Sequence, residues 1–548
     1  MLAVVAALLF ARVDGFEVGR HPASGSTATK QRLSLKSSPS STRRTDDANT
    51  KPTKRRQTHN NFQPNARFVA KSVLSDAAVA KTFATRELEG SVHYQTLEPR
   101  DRAFARLLVA TVERRMGQID KVLDCCIDKP NKGKHAHVLR ATLRTGVAQL
   151  LFLRTPPFAA IKETVQVLRI SSSISKPPVP EPMIKFVNGV LRKLSRPIDG
   201  EKADEDDSTT EMYGEMLLRE KTSPQDNISP WLLDRWRNDW GNEATELICR
   251  EMIPPDDTTV TSRIDLSTKY SLTAAIGMND YVNEIQTLMS SLGDDAILLP
   301  QFSIRVGPSM KGDVKLWPKY DDGSWWVQDA SSTLPALVLS SALHKMNPQS
   351  DFSKLHVVDM CSAPGGKASQ LLSVGFGHVT AIEANPRRSL RLIENLERLD
   401  LNDRCEVVVD EGQHWLPTRP VHGILLDVPC SATGTGARRP DVLRRDSDLT
   451  QLTIIQEKLA NHCADKILAD GGVMVYATCS LLKEESEDQV QKLIERGNIE
   501  TLPIQSHEVP GFGDAIDSNG WLRVLPGLLG GDLRSTDGFF VARLIRKK

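Results

Sequence analysis

The sequence predicts a multidomain protein: an all-α domain, a small α+β module, and an α/β domain built on a mostly parallel sheet. Three observations point there. Between residues 68 and 197, apolar residues recur at three- and four-residue spacing, with few β-branched alternations. From 228 to about 320 a helical pattern precedes short strand-like runs. From 357 onward, strand runs alternate with helical patterns, as in a parallel sheet with covering helices. A length of 548 residues accommodates roughly three domains. A hydrophobic content of 40% marks an ordinary globular composition, and a net charge of +1 excludes a wholly basic nucleic-acid coat protein.

Residues 1–67 read as a targeting presequence that does not fold. The apolar run 2–10 falls short of the roughly 20 residues a membrane span needs, and resembles a signal-peptide core without its basic flank. Residues 17–67 carry 11 Lys/Arg against three acids, with many Ser and Thr, which is a transit-peptide composition. A signal-like run leading into a transit-like one, with Phe16 between them, resembles the bipartite leaders of algae with secondary plastids. Plastid import is the first expectation, a mitochondrial presequence the second, and an artefactual gene extension the third. Nothing later in the chain has a transmembrane pattern.

Residues 68–198 predict six or seven helices, with stripes such as Phe104, Leu107, Leu108 and Val112, or Leu139, Leu143, Val147, Leu150 and Leu151. Residues 71–196 hold 22 Lys+Arg against 11 Asp+Glu, compatible with binding a polyanion or with a solvated basic face. Residues 199–227 are acidic and weakly periodic, and read as a linker. In the module at 228–320, a helix over 230–252 precedes strand-like runs at 258–264 and 296–299. In the α/β domain at 321–548, strands are expected at 357–360, 379–383, 406–409, 423–427 and 473–477. Helices are expected near 368–373, 387–399, 450–468 and 484–496. Ligands of such sheets bind beyond the carboxyl ends of the strands, where the motifs below fall.

Eight cysteines are scattered without a C-x-x-C, so neither a zinc ribbon, a redox pair nor a disulfide framework is expected, and most read as buried apolar thiols. The motif VVDMCSAPGGKASQLL (357–372) runs an apolar strand into a Pro-Gly-Gly turn and a helix. Gly365 and Gly366 would let backbone approach a ligand, and the helix start offers unpaired N–H groups. It lacks the dinucleotide and Walker spacings. Glu383, ending the next strand, stands where acids grip ribose hydroxyls, or is a helix N-terminal charge before Pro386. Asp410, after three valines, could hold an adenine amino group; Glu411 could serve instead. LLDVPCSATGTG (425–436) and VMVYATCSLLKEE (473–485) each place a Cys-Ser pair at a strand exit, Cys430 after Asp427 and Pro429, and Cys479 after Thr478. A lone cysteine is usually a core residue. Two at neighbouring strand exits, each followed by serine, point to chemistry.

These motifs resemble those of the RsmB/Sun/NSUN family of RNA cytosine-5 methyltransferases. WVQDASS (326–332) resembles the family segment before the first motif, and TDGFFVARL (536–544) its closing hairpin. RTPPFAAIKETV (154–165) and FVNGVLRKL (186–194) resemble the NusB-like RNA-binding domain of the bacterial RsmB subgroup. The resemblance therefore covers nearly all of 68–548. It implies a NusB-like all-α domain, an RRM-like small module and a Rossmann-like class I methyltransferase domain. It also implies the cofactor S-adenosylmethionine (SAM), held by Cys361, Ser362, Ala363, Pro364, Gly365, Gly366, Lys367, Glu383, Asp410 and Asp427, with Cys479, Cys430 and Asp427 catalytic. Two departures stand out: TGARRPDVLRR (435–445) differs from the subgroup's usual loop, and SRID (262–265) replaces an Arg-x-Asn.

Carbon 5 of cytosine is a poor nucleophile; thiolate attack at carbon 6 makes it enamine-like. A second group must then remove the carbon-5 proton. Chemistry alone leaves the two cysteines exchangeable. The resemblance orders them, Cys479 to attack and Cys430 to release, with Asp427 hydrogen-bonding N3 or the amino group. The base must be unstacked, so RNA is the implied partner, with no membrane and no metal, and a monomer is expected. Arg438, Arg439, Arg444 and Arg445 would reach the RNA backbone or form a surface charge cluster. The implied function is methylation of small-subunit (16S-type) ribosomal RNA in an organelle. A tRNA substrate is the rival within the same chemistry, and a non-catalytic RNA-binding assembly factor the rival from another class.

Overall fold

The computed structural model describes residues 64–129, 132–174, 178–198, 211–254, 264–277, 279–346, 351–445 and 448–548. The expected presequence lies outside them except for its last four residues, and there a helix already begins at Ala66, capped by Asn65 Oδ1 accepting the Phe68 N–H at 2.9 Å.

Up to residue 194 the described chain forms seven helices: Ala66–Ala80, Ala84–Gly90, Val92–Gln95, Pro99–Asp124, Ala136–Leu151, Pro157–Ile174 and Glu181–Leu194. The stripe Leu139, Leu143, Val147, Leu150 and Leu151 is buried throughout, and so are Leu108 and Val112. Proline opens Pro99–Asp124 at a position whose N–H would be unpaired anyway.

The described end of the acidic stretch is packed against the helical domain, where a linker is expected. Residues 199–210 lie outside the described residues, but beyond them come a helix, Tyr213–Lys221, and a 3-10 turn, Pro224–Asn227. Asn227 Oδ1 accepts the Gln118 N–H at 3.1 Å, and its amide donates to Gln118 Oε1 at 2.9 Å. A Cβ on Gly117 would lie 1.7 Å from Asp226 O, so only glycine admits this turn. High local charge concealed the anchor, because burying Leu217 and satisfying Asn227 needs few apolar residues.

Helix Pro230–Met252, expected in the small module, packs elsewhere. Its Leu232, Trp236, Ile248 and Met252 share a core with Leu443, Leu481 and Leu482 of the α/β domain. Its pattern specified an apolar face but not the partner. The module is a four-stranded antiparallel sheet of β1 (Ile264–Thr268), β2 (Ile297–Leu298), β3 (Ile304–Val306) and β4 (Trp325–Val327), ordered β2-β3-β1-β4. Of the strand-like run at 258–264, only Ile264 lies within the described residues. β4 lies past the expected boundary at 320, because its pairing with β1 is non-local. A 3-10 turn, Val314–Leu316, stands where a β-α-β-β-α-β module has its second helix. Asp265, in the divergent SRID, pairs with Arg305 at 2.7 Å and accepts the Ala330 N–H at 3.2 Å, tying module to α/β domain.

The large sheet comprises β5 (His356–Met360), β6 (His378–Ile382), β7 (Cys405–Val408), β8 (Val421–Asp427), β9 (Leu468–Thr478), β10 (Ile499–Thr501), β11 (Leu522–Val524) and β12 (Phe539–Arg546). Its order is β10-β12-β9-β8-β5-β6-β7, with β11 paired to β12. β5 to β9 pair in parallel as expected, whereas β10, β11 and β12 pair antiparallel, so the sheet is mixed. Helices Gly366–Ser373, Pro386–Arg398, Leu449–His462 and Glu487–Glu495 connect it. The third ends at His462, short of the expected 468, unwinding through a π turn into β9.

Candidate active site

The strand order reverses between β5 and β8, with β6 and β7 extending one side and β9 the other. Such a switch point opens a crevice beyond the strand ends. Here the loops after β5, β6, β8 and β9 contribute to a cavity of about 700 Å3. Met360, Ile382, Ile455 and Leu459 supply apolar lining; Glu383, Glu411, Asp427, Cys430 and Cys479 supply functional groups.

After β5 the chain turns at Cys361 in the left-handed region, φ 60°. The Ser362 hydroxyl donates to Asp359 Oδ2 at 2.6 Å. Burial pushes Asp359 up to about 7, against that hydrogen bond and the charge of Lys367. Of the expected SAM loop, Cys361 lines the cavity, whereas Ser362, Ala363, Pro364, Gly365, Gly366 and Lys367 are not among its lining residues. The two glycines also sit close to packed side chains: a Cβ on Gly365 would lie 2.6 Å from Leu392 Cδ1, and one on Gly366 would lie 3.0 Å from Gln328 Oε1. The glycine on the cavity wall is Gly412, missed in the sequence; its Cβ would lie 2.4 Å from Met360 Sδ.

Glu383 is buried at the end of β6 and accepts the N–H of Ala363 at 3.3 Å and of Asn385 at 3.0 Å. Arg388 pairs with it at 3.2 Å and donates to Ala363 O at 2.7 Å, joining the β5 and β6 loops. Asp410 is exposed and accepts the Glu411 N–H at 2.7 Å, while Glu411, Gly412 and Gln413 line the cavity. β7 ends at Val408, and in the loop beyond it Glu411, the alternative, reaches the cavity wall while Asp410 does not. Apolar walls with carboxylates at successive strand ends suit a cationic sulfonium bearing ribose and adenine, so this donor set fits SAM. Glu383→Gln is expected to weaken SAM binding about 10- to 100-fold, the loss of a charge-assisted hydrogen bond. Asp410→Ala should change it less than about threefold by titration calorimetry; equal losses would return Asp410 to the site.

Lys367 Nζ donates to Asp427 Oδ2 at 2.7 Å and lies 5.5 Å from the Phe539 ring centroid. Burial works against its charge, but Asp427 and Asp359 raise its pKa, so Lys367 holds Asp427 as an ion pair. β8 and β9 are parallel neighbours with Asp427 opposite Ala477, so the two cysteine loops leave side by side. Cys430 and Cys479 Sγ lie 3.5 Å apart. The hydrogen bond with Cys430, then burial and the charge of Asp427, push the Cys479 thiol well above the ordinary range; Lys367 opposes them. Cys249 and Cys463 are the expected buried thiols, pushed up to about 12 by burial, whereas Cys125 is exposed.

The arginine cluster is largely committed within the fold. Arg438 forks onto the buried carboxylate of Asp537. Arg444 contacts Met116 Sδ at 2.5 Å and faces the charge of Glu113, while Arg445 reaches Asp441 at 3.5 Å and stacks over Phe83. Arg439 lines the cavity. The loop at 435–445 thus docks the helical domain onto the site, a role its charge alone could not reveal. Glu485, also missed, is bonded to the serine after each cysteine. Among the described residues no group of His, Cys, Asp or Glu could hold a metal ion, and no helix is long and apolar enough to cross a membrane.

Comparison with known proteins agrees with this architecture. The family described as 16S rRNA methyltransferase RsmB/F matches residues 344–545, and the NusB family matches 64–196. Ribosomal RNA small subunit methyltransferase B of Shewanella oneidensis is 30% identical over 456 residues, covering 82% of this chain and 91% of its own. The protein of that name from Xylella fastidiosa is 31% identical over 491 residues, covering 88% and 97%. The crystal structure of PH0851 superposes with a TM-score of 0.61 at 20% identity, covering 89% of this chain and all of its own, and shows the shared fold. The chain belongs to the RsmB/Sun family of SAM-dependent methyltransferases and carries that family's N-terminal NusB-type domain.

Proposed function

We propose that the protein forms 5-methylcytosine in small-subunit ribosomal RNA, with Cys479 as nucleophile and Cys430 as the group that permits release. The observation that carries this is the pair of thiols 3.5 Å apart at the exits of adjacent parallel strands, beside Asp427. Carbons 5 and 6 of the base are bonded neighbours, and one needs a nucleophile while the other must lose a proton. SAM supplies an electrophilic methyl group on a sulfonium. Cys479 adds to carbon 6, Asp427 steadies the polarised ring, and Cys430 takes the carbon-5 proton, directly or through water, so that the carbon–sulfur bond can break. The names of the relatives support ribosomal RNA over tRNA. Composition of residues 1–67 supports plastid import ahead of mitochondrial import.

The helical domain supports an RNA partner independently. A groove of about 790 Å3 between Pro157–Ile174 and Glu181–Leu194 is lined by Lys162, Arg169, Lys185, Arg192 and Arg196, beside Phe158, which is 78% exposed. Cations following a phosphate chain with an aromatic platform suit single-stranded RNA. Lys185→Glu with Arg192→Glu should weaken RNA binding uniformly across sequences and reduce the salt slope by about 2; an unchanged slope would remove the groove from the interface.

The deciding experiment is transfer of labelled methyl from SAM to organelle small-subunit rRNA and to tRNA, with bisulfite sequencing of the product. Methylated cytosine in rRNA alone is the expected result. Label in tRNA alone would change the substrate. Absence of label in any RNA would favour the non-catalytic assembly factor.

A further inference from the structure

We infer that Glu485 is a positioning residue that sets the separation of the two thiols. The inference rests on the two-thiol reading of the site, and its test is chosen so that the two can fail separately.

Glu485 lies in the 3-10 turn Lys483–Glu485 and is fully buried. Its Oε1 accepts the Ser431 N–H at 2.9 Å and the Gln456 side-chain N–H at 3.0 Å. Its Oε2 accepts the hydroxyls of Ser431 and Ser480, both at 2.5 Å. Ser431 follows Cys430 and Ser480 follows Cys479, so one carboxylate grips the residue next to each thiol. Gln456 also donates to Pro429 O at 2.8 Å, holding the residue before Cys430. Tyr476 of β9 donates to Glu485 O at 2.8 Å, which anchors the turn to the strand that delivers Cys479. These contacts explain the serine that follows each cysteine, a regularity the chemistry of carbon 5 does not require.

An ionised carboxylate is an acceptor only, and its four contacts here are all able to donate. A buried charge is poor value for stability alone, since apolar packing of equal volume generally does as well. The stake here is geometry. The two cysteines sit on loops from different strands, yet must act on adjacent ring atoms, and a misplacement of about 1 Å can cost on the order of 100-fold in rate. A second tie, Gly434 N–H to Cys479 O at 2.8 Å, does not involve Glu485 and should keep the loops associated when it is changed.

The test uses the full chain and phenylarsine oxide. This reagent condenses with two adjacent thiols, forming two arsenic–sulfur bonds and releasing one water. Wild type should be captured through Cys430 and Cys479, identified by peptide mass. Glu485→Gln replaces an acceptor-only group by one carrying an NH2 that must face donors or force the serine hydroxyls to turn. It should slow capture by about tenfold or more and lower kcat comparably, leaving KM for SAM within about threefold. Paired Ser431→Ala and Ser480→Ala should reproduce the effect. Capture of Glu485→Gln at the wild-type rate, or no capture of wild type, would overturn the inference, and so would a kcat loss without slowed capture. If wild type methylates no RNA, the proposed function fails while the capture rates still read the positioning role.

Discussion

Cys430→Ala should leave the protein covalently fastened to its RNA, and Cys479→Ala should abolish both attachment and methyl transfer. The two thiols are almost in contact, so proximity does not assign their roles, and the expected asymmetry comes from the order of bond changes. In the proposed reaction, attack at carbon 6 comes first. Without Cys479 no adduct forms, and turnover should fall by about 10^4-fold or more, as when a covalent nucleophile is deleted elsewhere. Without Cys430, attack and methylation proceed but the carbon-5 proton is not removed, and release should slow by about 10^2- to 10^4-fold. A denaturing gel of labelled RNA incubated with SAM and each variant separates the outcomes. A retained band for Cys479→Ala and none for Cys430→Ala would exchange the roles. The raised pKa of Cys479 adds a sign: alkylation of that thiol in the RNA-free protein should be slow at neutral pH and accelerate as pH rises.

Glu508→Ala should be strongly destabilising although it lies outside the site. Arg543 lies on β12, between β9 and β10, and donates to Glu508 Oε1 and Oε2, each at 2.9 Å. It also donates to the carbonyls of Val338, Leu502 and Pro503. Both side chains are buried, so deleting the carboxylate strands a guanidinium, at a cost of about 3–5 kcal/mol. Calorimetry should show the melting temperature falling by roughly 10 °C, and Glu508→Gln, which keeps one acceptor, should lose less. Burial would raise the pKa of Glu508, but hydrogen bonds from Arg543, the Gln505 N–H and Ser341 outweigh it and hold the group down to about 2. Because that lies below the unfolded value of about 4.3, its contribution is complete above the unfolded pKa and is lost as pH falls toward 2. The wild type should therefore lose more stability than Glu508→Gln on acidification across that window; parallel acid limbs would deny the pair its role.

Much of the catalytic domain was legible because the inner stretches of β8 (424–426) and β9 (473–477) are buried on both faces and appear as apolar runs, each ending near the polar motif residues. Contacts between distant segments were not legible. β4 is three residues long and is defined by its pairing with β1. Helix Pro230–Met252 showed an apolar stripe, but nothing local says that Leu443 and Leu481 cover it. Arg438 and Arg444 carried the charge expected of RNA contacts, yet Asp537 and the helical domain occupy them.

By itself the sequence determined the alternation of β5 to β9 with their helices, the strand-exit placement of Cys430 and Cys479, and the pairing of each with a serine. Only the tertiary structure brought the two sulfurs to 3.5 Å, moved the cavity contact from Asp410 to Glu411, and turned Lys367 toward Asp427. The reason is physical: periodicity along the chain encodes which face of an element is apolar. Separation between side chains on different strands depends instead on strand register and on buried polar partners such as Glu485, which lie far apart in sequence from much of what they hold.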